Sequence, residues 1–150
     1  MKTVFDQDTR DELIRRINTV TPNSTARWGK MNVNQMLRHC TLWEEWVAGR
    51  KIYKRAFLGR IFGKMALNTF LKDDRPLGRN SPTISAFTIA RIGDGEDIAS
   101  GQAKWIALIQ GYAHFSNPGF IHSFFGKMTK EQIGQLAYKH ADHHLRQFNC

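Results

Sequence analysis

The 150-residue chain has little cysteine, no long apolar run and, over one stretch, no acid. Its two cysteines, Cys40 and Cys150, cannot build a disulfide framework, and CxxC zinc spacing is absent. Reduced thiols and a cytoplasmic location are therefore expected. No segment approaches the roughly 20 apolar residues of a membrane span. The opening residues carry charges every few positions and lack the apolar centre of a secretory signal. Acid is missing between Glu45 and Asp73, where Arg50, Lys51, Lys54, Arg55, Arg60, Lys64 and Lys72 all fall.

What is present is ordinary for a folded protein: 41% hydrophobic and 23% charged residues. The length suits one domain spanning residues 1–150. A formal net charge of +9 favours anionic partners, whether nucleic acid, acidic lipid or an acidic small molecule, and does not choose among them.

Hydrophobic periodicity predicts helices and no convincing sheet. Leu13, Ile14, Ile17 and Val20 recur at helical spacing from about Asp8 to Val20, with Asp8 as a cap and Thr21-Pro22-Asn23 as a stop. Asn32 followed by Gln35 fits a capping box, and Met36, Cys40, Trp43 and Val47 mark one face of the helix it opens. Gly49 would end that helix. Leu58, Ile61, Phe62, Met65 and Phe70 form a stripe from about Arg55 to Leu71, with Gly59 and Gly63 weakening the helix. A turn-rich stretch follows from Arg75 to about Asp94. Within it, residues 84–89 read as an extended segment over the bundle or a short strand. A helix from about Glu96 to His114 and another from about Lys130 to Gln147 close the chain. The last is opened by a second capping box, Thr129 with Gln132. The expected fold is all-α: a helix bundle with a long loop or short extra helix between its third and fourth members.

Six histidines stand out. His140 and His144 lie four residues apart, so both point to one side of the last helix. Neutral imidazole ligates zinc, nickel and iron. A further ligand must come from a facing helix, and His39, close to the apolar face of the second helix, is the best candidate. The plainer alternatives are a chance i,i+4 pair and a core histidine bonded to backbone. His143 could replace His144, although a solvent-facing or outer role suits it better. His122, entering the last helix, could orient a substrate at the site's rim or simply bond to backbone. Asp142 lies about 160° of helical rotation from His144, and Cys40 about 100° from His39, so neither aims at the same point.

Three segments carry a family resemblance. They are Arg27-Trp28-Gly29-Lys30-Met31 with Gln35-Met36-Leu37-Arg38-His39-Cys40; Phe124-Phe125-Gly126-Lys127-Met128-Thr129 leading to Tyr138-Lys139-His140-Ala141-Asp142-His143-His144; and Phe57-Leu58-Gly59-Arg60 through Arg75-Pro76-Leu77. Together they resemble the DinB-like superfamily of four-helix-bundle proteins, within one of its uncharacterised subgroups. The resemblance implies an up-down-down-up bundle, often a homodimer. It also implies a divalent metal on His39, His140 and His144, with an open position for water or substrate. Some relatives are metal-dependent transferases or isomerases that use low-molecular-weight thiols; others have no assigned reaction.

Three imidazoles with an open position form a catalytic type of metal site. Zinc, nickel, iron or manganese would suit it, and the bound ion lowers the pKa of water or of a thiol. The expected function is that of a metal-dependent transferase or hydrolase acting with an anionic thiol, such as glutathione, or with activated water. The alternative is a non-catalytic metal-binding or stress-response protein. The basic run from Arg50 to Lys72 reads as the outer face of a helix whose apolar stripe enters the core. No helix-turn-helix, zinc-finger or RNA-binding signature points to nucleic acid.

Overall fold

The computed structural model describes all of residues 1–150 and is mostly helical. In chain order the helices are α1 (Gln7–Ile17), α2 (Val33–Val47), α3 (Phe57–Phe70), α4 (Ile89–Ile92), α5 (Ile98–Gly111) and α6 (Lys130–Gln147). A two-stranded antiparallel hairpin, β1 (Ile121–His122) and β2 (Gly126–Lys127), precedes α6. Helix α2 packs against α5 and α6, and α1 packs against both of these; α3 lies instead on β2.

The starts of the two long helices carrying the histidines are set by local chemistry. Asn32 accepts from Gln35 N at 2.8 Å while Gln35 Oε1 accepts from Asn32 N at 3.1 Å. Thr129 and Gln132 repeat this arrangement at the start of α6. Each box satisfies two backbone N–H groups that the first turn would leave unpaired. Gly49, at φ +82°, follows the end of α2 in a conformation that glycine adopts without strain. Helix α1 differs from its expected form. It is capped at Asp6 rather than Asp8, with no side-chain bond, and it ends at Ile17 before the Thr21-Pro22 stop.

Residues 84–89 form neither a strand nor an extended strap. A 3₁₀ turn over Ser85–Phe87 leads into α4, and Phe87 is buried against α2. Trp46, Tyr53 and Phe87 meet edge to face, which packs this irregular segment as core.

The larger correction concerns α3. Four of the five stripe residues stay outside the core: Leu58, Ile61, Phe62 and Met65 are 59%, 60%, 48% and 65% exposed, while Phe70 is half-buried and packs on Phe125. The buried positions of α3 are Gly59, Gly63 and Leu67. A Cβ on Gly59 or Gly63 would lie 2.4 or 2.2 Å from the backbone oxygen of Phe124, closer than real contacts allow. The two glycines, one turn apart, therefore seat α3 directly on the backbone of the hairpin loop. That seating turns the large side chains outward, and the glycines read as mere weaknesses of the helix are its contact surface.

Candidate metal centre

The structure brings His39, His140 and His144 together. Each offers one ring nitrogen, and the three nitrogens lie within 4.8 Å of one another. His39 comes from the middle of α2 and the other two from successive turns of α6. No carboxylate or thiol joins the cluster. Cys40 turns away and donates to the sulfur of Met36.

The orientation of each ring has a cause. His39 Nδ1 lies 3.2 Å from the carbonyl oxygen of Phe87, so Nδ1 carries the proton and Nε2 faces inward with its lone pair. His144 Nδ1 lies 2.9 Å from Gln147 Oε1, and Gln147 Nε2 in turn donates to the carbonyl of Trp28 at 2.7 Å. The same logic leaves Nε2 of His144 free. His140 is held differently: its ring stacks on Trp43 at 4.5 Å, and its buried Nδ1 has no partner. His140 Nε2 and His39 Nε2 are 3.1 Å apart.

Burial keeps all three rings neutral. It pushes His39 down to about 4, against the smaller opposing effect of the Phe87 carbonyl. His140 and His144 sit well below the ordinary imidazole value, through burial first and through neighbouring histidines second. Neutral imidazoles with converging lone pairs are what a cation requires. Two nitrogens bound to one tetrahedral zinc at about 2.0–2.1 Å stand roughly 3.3 Å apart, close to the 3.1 Å between His39 and His140. Carbonyl partners on the remote ring nitrogens of two of the three are the usual support for metal-bound histidine. The three histidines fit a metal ion and could hold one. His140 is half-buried as a residue, whereas His39 and His144 are buried.

The other two singled-out histidines have separate surroundings. His122 is buried, and its Nδ1 accepts from the backbone N–H groups of both Phe124 and Phe125 at 3.1 Å. Its ring stacks on Phe125 and tilts against Trp46, and burial pushes it down to about 3. His122 thus organises the hairpin turn on which α3 sits. His143 packs edge-on against Trp28 and His144 and faces a cavity of about 590 Å³.

Sequence reasoning did not single out that cavity. Arg16, Arg27, Arg79 and Arg146 line it beside Trp28. Arg16 and Arg146 share the buried carboxylate of Asp142, at 2.8 and 2.7 Å. Arg79 lies over the Trp28 ring at 5.0 Å, and neither it nor Arg27 has an acidic partner. The arginines come from α1, two loops and α6, so no local motif announces them.

The family described as a protein of unknown function, DUF1569, matches residues 2–150. The chain belongs to that family. No curated protein and no solved structure matches the chain. Membership covers essentially the whole fold, so the three histidines lie inside the matched region. The description assigns them no chemistry.

Proposed function

We propose that this DUF1569 protein is a DinB-like metal protein whose ligands are His39, His140 and His144. The carrying observation is the convergence of three neutral imidazoles, two with their remote nitrogens fixed by carbonyl acceptors. On this reading the ion is zinc, nickel, iron or manganese, and a position is left for water or a thiol. When bound, the metal supplies a lowered pKa for that water or thiol at neutral pH. The protein's own part is to keep the rings neutral and aim their Nε2 atoms.

The reaction class this supports is thiol transfer or hydrolysis with an anionic small molecule. Arg27 and Arg79, without acidic partners beside His143 and Trp28, would hold its negative charge. His143 would form the wall between that anion and the metal, and His122 the support of the opposite rim. The up-down-down-up bundle, the homodimer and the cytoplasmic location that the resemblance implies belong to the same reading.

The test is elemental analysis of protein purified without an affinity tag, beside a His140→Ala/His144→Ala double variant. A stoichiometric transition metal in the first and its loss in the second are expected. Equal content in the two would end the proposal. A non-catalytic metal-binding role is the second reading, favoured by the burial of His39 and His144. Metal-loaded protein that turns over none of a panel of electrophiles with glutathione, and hydrolyses no ester or amide, would favour it.

A further inference from the structure

Helix α3 presents a face that the fold does not use. Phe57, Leu58, Ile61, Phe62 and Met65 are 48–75% exposed, and Ile52 just before them is 93% exposed. At 100° per residue the five helical side chains fall within an arc of about 140°, opposite Gly59, Gly63 and Leu67. Soluble monomers rarely expose contiguous apolar patches beyond about 300–600 Å², and five large side chains at this exposure reach that range.

The charge around the patch has one sign. Arg50, Lys54, Arg60, Lys64 and Lys72 are exposed, and none of them pairs with an acid. Arg60 and Lys64 border one edge of the apolar arc. No acidic residue occurs from 46 to 72. A second copy docked symmetrically here would set these cations against their own counterparts without a neutralising group. An anionic lipid surface meets both halves of the face, taking the apolar side chains at the headgroup boundary and the cations at the phosphates. No helix is long and apolar enough to cross a membrane, so the contact is one of lying on the surface.

We infer that α3 docks the protein onto anionic membrane surfaces through Phe57, Leu58, Ile61, Phe62 and Met65, with Lys54, Arg60 and Lys64 on the lipid phosphates. The inference is independent of the metal centre. Gly59 and Gly63 hold the helix rigidly on the hairpin backbone, so the face is formed before contact and needs no coupled folding.

The test is co-sedimentation of the full chain with phosphatidylcholine vesicles, with and without phosphatidylglycerol. Binding should require phosphatidylglycerol, weaken with salt, and fall by about tenfold or more in Ile61→Glu. Ile61 is exposed, so that variant should keep the wild-type circular dichroism and melting transition. Should it misfold, Lys54→Ala/Arg60→Ala decides, since those side chains support nothing in the fold. Absence of binding to phosphatidylglycerol vesicles overturns the inference. So does a wild-type dimer that Ile61→Glu splits into monomers, which would assign the face to a second copy.

Discussion

Helices α3 and α6 reverse the usual relation between polarity and burial. Helix α6 is the more polar, with three histidines, two lysines, an arginine, a glutamate and an aspartate, yet 12 of its 18 residues are buried. Helix α3 carries three phenylalanines, two leucines, an isoleucine and a methionine, yet 3 of its 14 residues are buried and two of those are glycines. The difference lies in what each helix is given to bond with. Apart from His140, whose buried Nδ1 has none, the buried polar side chains of α6 named next all have partners. Lys139 Nζ donates to the carbonyls of Phe70, Asp73 and Arg75 at 2.9, 2.6 and 2.9 Å, Asp142 receives two arginines, and Gln147 ties His144 to Trp28. Paired in this way, polar groups avoid the desolvation penalty of burial. Helix α3 makes its contact through the backbone at Gly59 and Gly63 and through Leu67 and Phe70, and its other large apolar side chains are left over. Burial here follows contact geometry and partner supply, not hydropathy.

The sharpest way to break the contrast is Gly63→Ala. In an exposed helix the change would stabilise by about 1 kcal/mol through propensity. Here the new Cβ would lie 2.2 Å from Phe124 O, which is backbone and cannot step aside. Overlap therefore wins, and a loss of about 2–3 kcal/mol is expected in denaturant unfolding. A more stable variant would mean that α3 is not seated as described.

Lys139→Met tests the other side of the contrast. It keeps the stem but leaves three carbonyls at the end of α3 and in the following loop without their donor. A loss of about 2–3 kcal/mol is expected, because a charged donor is removed from a buried site. A stability change near zero, read the same way, would show that α6 does not depend on its pairing.

Gln147→Leu carries the contrast to the metal. It removes the acceptor for His144 Nδ1 and frees the Trp28 carbonyl, with no change to the ligands themselves. Metal affinity should fall about 10–100-fold by competition with a chelator, while fold stability changes less. An unaltered affinity would mean that the Gln147 bond does not orient His144.

Much of α2 and α6 was legible in the sequence because both begin with capping boxes and carry a long periodic face. The HxxxH spacing fixes the relation of His140 and His144, since both lie on one helix. That His39 meets them is tertiary information, which the apolar face of α2 suggested and the fold supplied. The carbonyl of Phe87, the Gln147 bridge and the four-arginine cavity bring together residues far apart in sequence, and no spacing rule reaches them. Helix α3 misled for a physical reason: an apolar stripe at helical period implies a core face only where side chains, rather than glycine backbone, make the contact.

The pH dependence of the metal-free protein follows from groups on both kinds of surface. Glu44, buried on α2, accepts a hydrogen bond from the Tyr112 hydroxyl, and burial raises its carboxyl to about 8. Its second oxygen and Trp105 Nε1 lack a closed bond. A raised acid contributes stability that is full below its unfolded value and is lost as pH rises through about 8. His122, held down at about 3, acts oppositely: its contribution is present above about 6.5 and is lost as pH falls. The three clustered histidines add to the acid limb. Unfolding midpoints should therefore peak between the two limbs. Glu44→Gln should flatten the fall toward pH 8 and leave the acid limb unchanged below about 4.5, where the carboxyl is protonated in both states. An identical alkaline limb in that variant would remove Glu44 as its source.

The smallest expected effect sharpens the comparison most cheaply. Met65→Ser on α3 removes a large apolar side chain that is 65% exposed, whereas Leu145→Ala on α6 removes one with no exposure. The first should stay within about 0.5 kcal/mol of wild type and the second should lose about 2–5 kcal/mol. If the two losses were equal, the α3 face would already be covered in solution. A loss for Met65→Ser that grows with protein concentration would identify the cover as another copy of the chain. One that appears only with anionic vesicles present would identify it as lipid. The same pair of variants thus measures both how far α3 stands outside the core and what it stands outside for.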